Sequence, residues 1–391
     1  MGSGILNAKI IKRALAGLLK NSMKSVLLLG PRQVGKSTLI LELNPDLSIN
    51  LADELEFLKF SSSPNELSEL IQLNNPKTVY IDEIQRLPRL MNTIQAIIDH
   101  KKNNIKFYLT GSSARKLKRG GANLLPGRVL NFQMGPLVSR ELNYQMLTSD
   151  LLKYGSLPEI YLMKDEKLKK HLLRSYSANY LKEEIKAEAL TRNLEAFARF
   201  LTESVLHIGK FIDLTKLSKN AKISRHTCPR YFEILEDTMI AYRVYPFPQL
   251  IEKMDLIRHP KFYFFDNGVY NGLVGNYEAS ADRVGVLAEQ LVYNQLRHSA
   301  SACLKDIEIY SYRPRSGDEV DFIINLDNKI YAVEVKNSDQ IKTEEVQGLV
   351  QFKKDFPKVE GLFVFHMKEK EFHLGPVHIL SWQKGLKKMG L

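Results

Sequence analysis

The stretch Ser25-Val-Leu-Leu-Leu-Gly30-Pro-Arg-Gln-Val-Gly35-Lys36-Ser37-Thr38-Leu39 constrains this chain more than any other. Val26 to Leu29 form a continuous apolar run, the pattern of a short strand buried on both faces. Thr38-Leu-Ile-Leu-Glu-Leu then reads as the start of a helix. Between them lies G-x-x-x-x-G-K-S, whose glycines let backbone N–H groups turn inward around a polyphosphate. The helix start adds its positive dipole end. On this pattern Gly30, Pro31, Arg32, Gln33, Val34, Gly35, Lys36, Ser37 and Thr38 cradle a nucleotide. Lys36 would reach the β- and γ-phosphates, and the Ser37 hydroxyl would ligate Mg²⁺.

A second short apolar strand, Thr78-Val-Tyr-Ile, ends in Asp82-Glu83. Downstream of a phosphate loop, Asp82 would hold the hydration shell of Mg²⁺ and Glu83 would polarise the attacking water. A third, Ile105-Lys-Phe-Tyr-Leu-Thr110-Gly111-Ser112-Ser113, ends in small polar residues. In a parallel sheet such a tip lies beside the γ-phosphate, where the Ser112 hydroxyl could sense it. The ligands expected are therefore ATP and Mg²⁺.

With 391 residues the chain is too long for one ordinary core. No apolar run has the length of a membrane span, and two cysteines far apart suit a reducing, cytoplasmic setting. The net charge of +12 favours a polyanionic partner, although surface lysine also serves solubility.

Gly30-Pro-Arg-Gln-Val-Gly-Lys-Ser-Thr, Val79-Tyr-Ile-Asp-Glu-Ile-Gln, Leu109-Thr-Gly-Ser-Ser and Gly127-Arg128 with Gly135-Pro-Leu together resemble one clade of AAA-type ATPases, widespread in prokaryotes. Tyr154-Gly-Ser-Leu-Pro-Glu159 and Phe262-Tyr-Phe-Phe-Asp-Asn-Gly268 are similar to the same family. The resemblance implies a homo-oligomer in which Arg128 acts as an arginine finger in a neighbour's site.

Along the rest of the chain, residues 5–20 place Ile10, Ala14 and Leu18 at helical spacing. Lys101, Lys102, Lys106, Arg115, Lys116, Lys118 and Arg119 form a basic run that reads either as a solvated face or as a groove along a nucleic-acid backbone. Residues 141–190 read as a helical lid following a P-loop ATPase domain at 1–140. Residues 191–260 resemble a winged helix-turn-helix, with Arg225, His226 and Arg230 on the exposed face of its second helix. Such modules bind protein as readily as DNA.

A second chemical centre lies at Val320–Lys336, where two alternating strands flank Asp327-Asn328, a pair suited to a two-residue hairpin turn. That turn sets Asp321 opposite Glu334, with Lys336 on the same face as Glu334. Val320, Phe322, Ile324, Val333 and Val335 make the other face apolar. Two carboxylates can hold Mg²⁺, and a lysine can orient a water. D-x₁₂-E-x-K on a hairpin resembles the signature of PD-(D/E)XK nucleases. It would make 261–391 a nuclease-like α/β domain, with Glu289 adding a third metal ligand to Asp321 and Glu334. Arg313 and Arg315 are placed for phosphate contacts, and Gln347 on the following helix for a polar role.

The expected fold class is thus α/β: a P-loop AAA-type core with helical lid, winged helix and nuclease-like C-terminal domain. The expected function is an ATP-hydrolysing enzyme that processes or remodels DNA, branched or structured forms included, with Mg²⁺-dependent cleavage by Asp321, Glu334 and Lys336. Two alternatives stay open: a DNA motor whose nuclease-like domain only binds, and a signalling ATPase switch with a protein partner.

Overall fold

The computed structural model describes residues 10–391 except 101–103, 113–124, 178–192, 252–255, 258, 316 and 339. Most of the basic run falls outside the described residues, as do residues 178–190 of the segment read as a lid. Two compact units emerge: Lys12–Gly135 with Asp237–Met239, and Pro136–Glu236 with Ile240–Leu391.

In the first unit β1 (Ser25–Leu29), β2 (Leu47–Asn50), β3 (Thr78–Asp82), β4 (Lys106–Gly111) and β5 (Val129–Gln133) form one five-stranded sheet. Its order is β2-β3-β4-β1-β5, and every pairing is parallel. All of β1 is buried, which its unbroken apolar sequence anticipates. Because β4 lies between β1 and β3, the carboxyl ends of the three strands that carry the motifs stand side by side.

The N-terminal helix departs from expectation. Among the described residues it runs only over Leu15–Asn21, burying Leu15 and Leu19, while Ile10 is 58% and Leu18 40% exposed. The reason is Arg13, which is buried and donates to Val34 O (2.6 Å) and Gly135 O (2.9 Å). Those bonds hold the chain out of the helical stripe that Ile10, Ala14 and Leu18 would have made. Lys106 is likewise not a free cation: its ammonium donates to the carbonyls of Leu19, Lys20 and Ser22 at 2.8, 3.1 and 2.6 Å, closing the end of this helix.

The second unit contains helices Leu194–Ser204, Leu214–Asn220 and Thr227–Asp237, followed by β6 (Ala241–Val244) paired antiparallel with β7 (Lys261–Phe264). Asp213 caps the middle helix by accepting from the N–H groups of Thr215 and Lys216. Edge-to-face contacts join Phe197, Phe200 and Phe232. Arg225, His226 and Arg230 are exposed.

Six further strands follow: β8 (Ile307–Tyr312), β9 (Val320–Leu326), β10 (Lys329–Lys336), β11 (Gly361–His366), β12 (Glu371–Leu374) and β13 (Val377–Ser381). They form a sheet in the order β12-β13-β11-β10-β9-β8. The β9–β10 register pairs Leu326 with Lys329 and Phe322 with Val333, and Asp327 and Asn328 take φ of 48° and 67°. The two-residue turn is therefore where the sequence places it. The expected division into one apolar and one chemical face does not hold. Ile323, Ile330 and Ala332, which share a face with Asp321 and Glu334, are buried in a core with Leu349 and Phe352 of the helix Gln347–Asp355. Opposite them, Phe322 packs on Tyr263 and Tyr293. Both faces are covered, so the carboxylates occupy only the end of one.

The motifs around Gly155 and Asp266 explain each other. Asp266 is buried, accepts from Ser156 N (2.7 Å) and Val269 N (3.1 Å), and caps the helix Asn267–Val274. A Cβ on Gly155 would stand 2.0 Å from its carboxylate, and one on Gly268 would stand 2.1 Å from Tyr154 O. These glycines permit the close approach.

Candidate functional site

The phosphate loop is tightly fitted before any ligand enters. A Cβ on Gly30 would meet Met134 O at 2.1 Å, so only glycine fits beside the end of β5. Gln33 and Gly35 take φ of 61° and 91°, turning the loop into the helix Lys36–Leu41. The buried Lys36 ammonium donates to Gly30 O and Pro31 O, both at 2.8 Å. Ser37 Oγ donates to Asp82 Oδ2 at 2.8 Å, which places both members of the expected Mg²⁺ set in contact. Hydroxyl and carboxylate side by side suit a hard cation that keeps several waters, so the residues present fit Mg²⁺.

Thr110 at the end of β4 donates to Asp82 Oδ1 at 2.5 Å, and Tyr80 OH lies 3.2 Å from Thr110 Oγ1. Glu83 follows with a φ of 54°, a conformation that costs a non-glycine residue about 1–2 kcal/mol and sets its carboxylate apart from that of Asp82. Gln85 Nε2 donates to Glu83 Oε2 and to Ser112 Oγ, the latter at 3.0 Å. Burial pushes the Glu83 carboxyl up, against the pull of the Lys36 ammonium. Ser112 is fully buried and accepts from Gln85, so of the hydroxyls at the tip of β4 the one that touches Asp82 is that of Thr110. Neither Gln85, Thr110 nor Arg13 was singled out from the sequence. A polar residue two places beyond the acid pair was the one available sign of Gln85.

Arg128 does not join its own phosphate loop. Val129 pairs with Ser25 at the start of β1, whereas the loop leaves the other end after Leu29. Its guanidinium forms a two-point pair with Asp99, at 2.5 and 2.9 Å.

The C-terminal unit brings together the acids and lysine of the hairpin. Asp321 N donates to Glu334 Oε2 (3.2 Å), Val335 N to Asp321 Oδ2 (2.8 Å), and Lys336 Nζ to Glu334 Oε1 (2.7 Å). Burial and the facing Asp321 push the Glu334 carboxyl up to about 8. Glu289, from the helix Val284–Cys303, arrives as expected but meets a lysine. Lys261 Nζ stands 3.0 Å from Glu289 Oε1, 2.7 Å from Glu319 Oε1 and 3.9 Å from Asp321 Oδ1. Tyr263 also donates its hydroxyl to Glu289. Burial alone would lower the Lys261 ammonium, but the three carboxylates outweigh it and hold it above the ordinary lysine range.

The metal set expected at Glu289, Asp321 and Glu334 is therefore not formed. Among the described residues no group of three or more His, Cys, Asp or Glu is arranged to hold a metal ion. Arg313 pairs with Glu319 at 3.2 Å instead of standing free for phosphate. Lys261 and Glu319 lie outside the D-x₁₂-E-x-K spacing, and nothing local in the sequence marks them. Among the described residues no helix is long and apolar enough to cross a membrane.

Residues 22–143 match a family described as "AAA domain". Residues 146–280 and 284–384 match two families described as domains of unknown function, DUF8612 and DUF4143. The chain is 24% identical over 320 residues to the uncharacterized protein Rv2008c of Mycobacterium tuberculosis, covering 80% of this chain and 70% of that one. It is also 24% identical over 388 residues to an uncharacterized protein of Haemophilus influenzae, covering 90% and 92%. Among solved structures, AMPPCP-bound DnaA from Aquifex aeolicus aligns with 57% of this chain and 86% of its own, at 13% identity and a TM-score of 0.29. Residues 22–143 thus match an AAA domain, and the rest of the chain matches two domains of unknown function.

Proposed function

We propose that the N-terminal unit hydrolyses ATP and that the chain uses this cycle to remodel contacts with DNA without cutting it. The observation that carries the first part is the chain of contacts Ser37–Asp82–Thr110, with Lys36 poised in the loop and Glu83 held apart by Gln85.

In this reading Lys36 exchanges the carbonyls of Gly30 and Pro31 for the β- and γ-phosphates, while the loop from Gly30 to Thr38 supplies N–H donors. Ser37 and Asp82 hold Mg²⁺, which when bound draws charge from the phosphate oxygens. Glu83 takes the proton of a water that attacks the γ-phosphorus as the bond to the ADP oxygen breaks. Its raised affinity for protons suits that role, and Gln85 fixes its direction. Ser112 and Thr110 connect the γ-phosphate position to β4. Arg128, at the far end of its own sheet, completes the site of a neighbouring subunit in a homo-oligomer.

DNA is the proposed partner on account of the net charge of +12 and the exposed Arg225, His226 and Arg230 at the start of the helix Thr227–Asp237, read here as the second helix of a winged helix. The test is ATP turnover measured without DNA and with single-stranded, duplex and four-way DNA, together with gels for nicked product. Stimulated turnover with intact DNA is expected. Turnover indifferent to every DNA would point to a protein-binding switch, and a nicked product would restore the nuclease.

A further inference from the structure

The carboxylate cluster of the C-terminal unit requires positive charge, and the chain supplies it internally. We propose that Lys261 is the resident cation of this cluster and keeps divalent metal out of it. The inference does not depend on ATP hydrolysis at the phosphate loop.

Three observations converge. The first is position: Nζ of Lys261 lies within 2.7–3.9 Å of carboxylate oxygens from Glu289, Glu319 and Asp321, which come from a helix, a connection and a strand. That is the place a shared metal would take, and an ammonium there repels a second cation. The second is charge. Glu289, Glu319, Asp321 and Glu334 contribute four carboxylates, against three cations in Lys261, Lys336 and Arg313. The cluster is within one charge of balance as it stands. Removing the lysine leaves four carboxyl groups against two cations, an uncompensated set that a divalent ion can fill.

The third is closure. Lys261 belongs to β7, where it pairs with Val244, and its side chain is 2% exposed. Ile212 N donates to Pro260 O at 2.9 Å, which runs the preceding loop along this strand. The Phe211 ring of that loop lies 5.1 Å from the Lys261 ammonium and 5.5 Å from the Arg313 guanidinium. The ring thus borders both cations and closes the cluster beside them. The remaining oxygens of the acid pair are occupied as well, by the N–H groups of Val335 and Asp321 and by Lys336. A divalent ion needs six or more oxygen ligands, part of them from water, and would have to displace both the lysine and these bonds.

The experiment is a titration of nucleotide-free, metal-stripped full-length protein with Mn²⁺, following the free ion by electron paramagnetic resonance. Wild type and Asp321→Asn should bind the same number of ions, since any ion at the phosphate loop is common to both. Lys261→Met should bind one more ion per chain, and the double variant Lys261→Met/Asp321→Asn should lose it. Lys261→Arg should behave as wild type. An ion bound by wild type and lost in Asp321→Asn overturns the proposal, as does a folded Lys261→Met that gains none. If Lys261→Met does not fold, the comparison of wild type with Asp321→Asn still decides.

Discussion

Arg13 and Asp266 show how much of this protein rests on single buried polar groups. Arg13 satisfies two carbonyls, one inside the phosphate loop and one just past β5. Arg13→Ala would strand both, at about 1–3 kcal/mol, and release the loop. A lower denaturation midpoint is expected, with nucleotide affinity reduced several-fold in a fluorescent-nucleotide titration. Affinity equal to wild type would show that the loop holds its shape unaided. Burial pushes the Asp266 carboxyl up to about 6, against three backbone N–H groups that favour its ionised form. The folded state therefore holds an extra proton between 3.8 and about 6, so stability falls as pH rises through that window. The loss should reach about 3 kcal/mol and stay constant above it. Asp266→Asn should flatten this slope in denaturant titrations at several pH values, and an unchanged slope would assign it elsewhere. At this scale the sequence was legible where the chemistry is contiguous, as in Lys36 with Ser37 and Asp82 with Glu83. It was silent where a lone residue acts across the fold: Arg13 meets Gly135, 122 positions away, and Lys261 meets Glu289 across 28.

Among elements, the β9–β10 hairpin was read to the residue because turn chemistry and two-residue alternation specify one register. Asp327 and Asn328 both lie in the left-handed region, which asparagine tolerates better than alanine. Asn328→Ala should cost about 1 kcal/mol and Asn328→Gly nothing or less, judged by thermal unfolding. Equal melting of the three proteins would mean that the turn does not set the register. What alternation could not convey was burial on both faces. Ile323 and Ala332 read as ordinary strand residues until the helix Gln347–Asp355 is seen against them. The first helix was misjudged for a similar reason: Ile10, Ala14 and Leu18 fit a helical stripe, but tertiary bonds to Arg13 outweigh local spacing.

On the scale of the whole molecule, residues 22–143 match an AAA domain, and the proposal that the chain acts on DNA is tested on the rest of it. DNA binding should weaken steeply with salt, because a basic surface gains affinity by releasing phosphate counterions. Arg225→Ala with Arg230→Ala should shift the binding midpoint to lower salt. A double variant that binds as wild type would turn that helix toward protein. Arg128 precedes β5 at the end of the sheet remote from its own phosphate loop. It is the proposed finger in a neighbour's site, so Arg128→Ala subunits should bind ATP yet hydrolyse it poorly, and mixing them with Glu83→Gln subunits should restore part of the activity. Full hydrolysis by a monomeric Arg128→Ala protein would exclude a shared site.

The claim on which the account depends is that Lys36 and Glu83 divide binding and chemistry between them. It is tested most directly by pairing equilibrium ATP binding with single-turnover hydrolysis in Lys36→Ala, Glu83→Gln and wild type. Glu83→Gln should bind ATP as wild type does and retain it unhydrolysed, since only the water-polarising carboxylate is lost. Lys36→Ala should lose most of its affinity and all turnover. Hydrolysis at the wild-type rate in either variant would contradict the assignment.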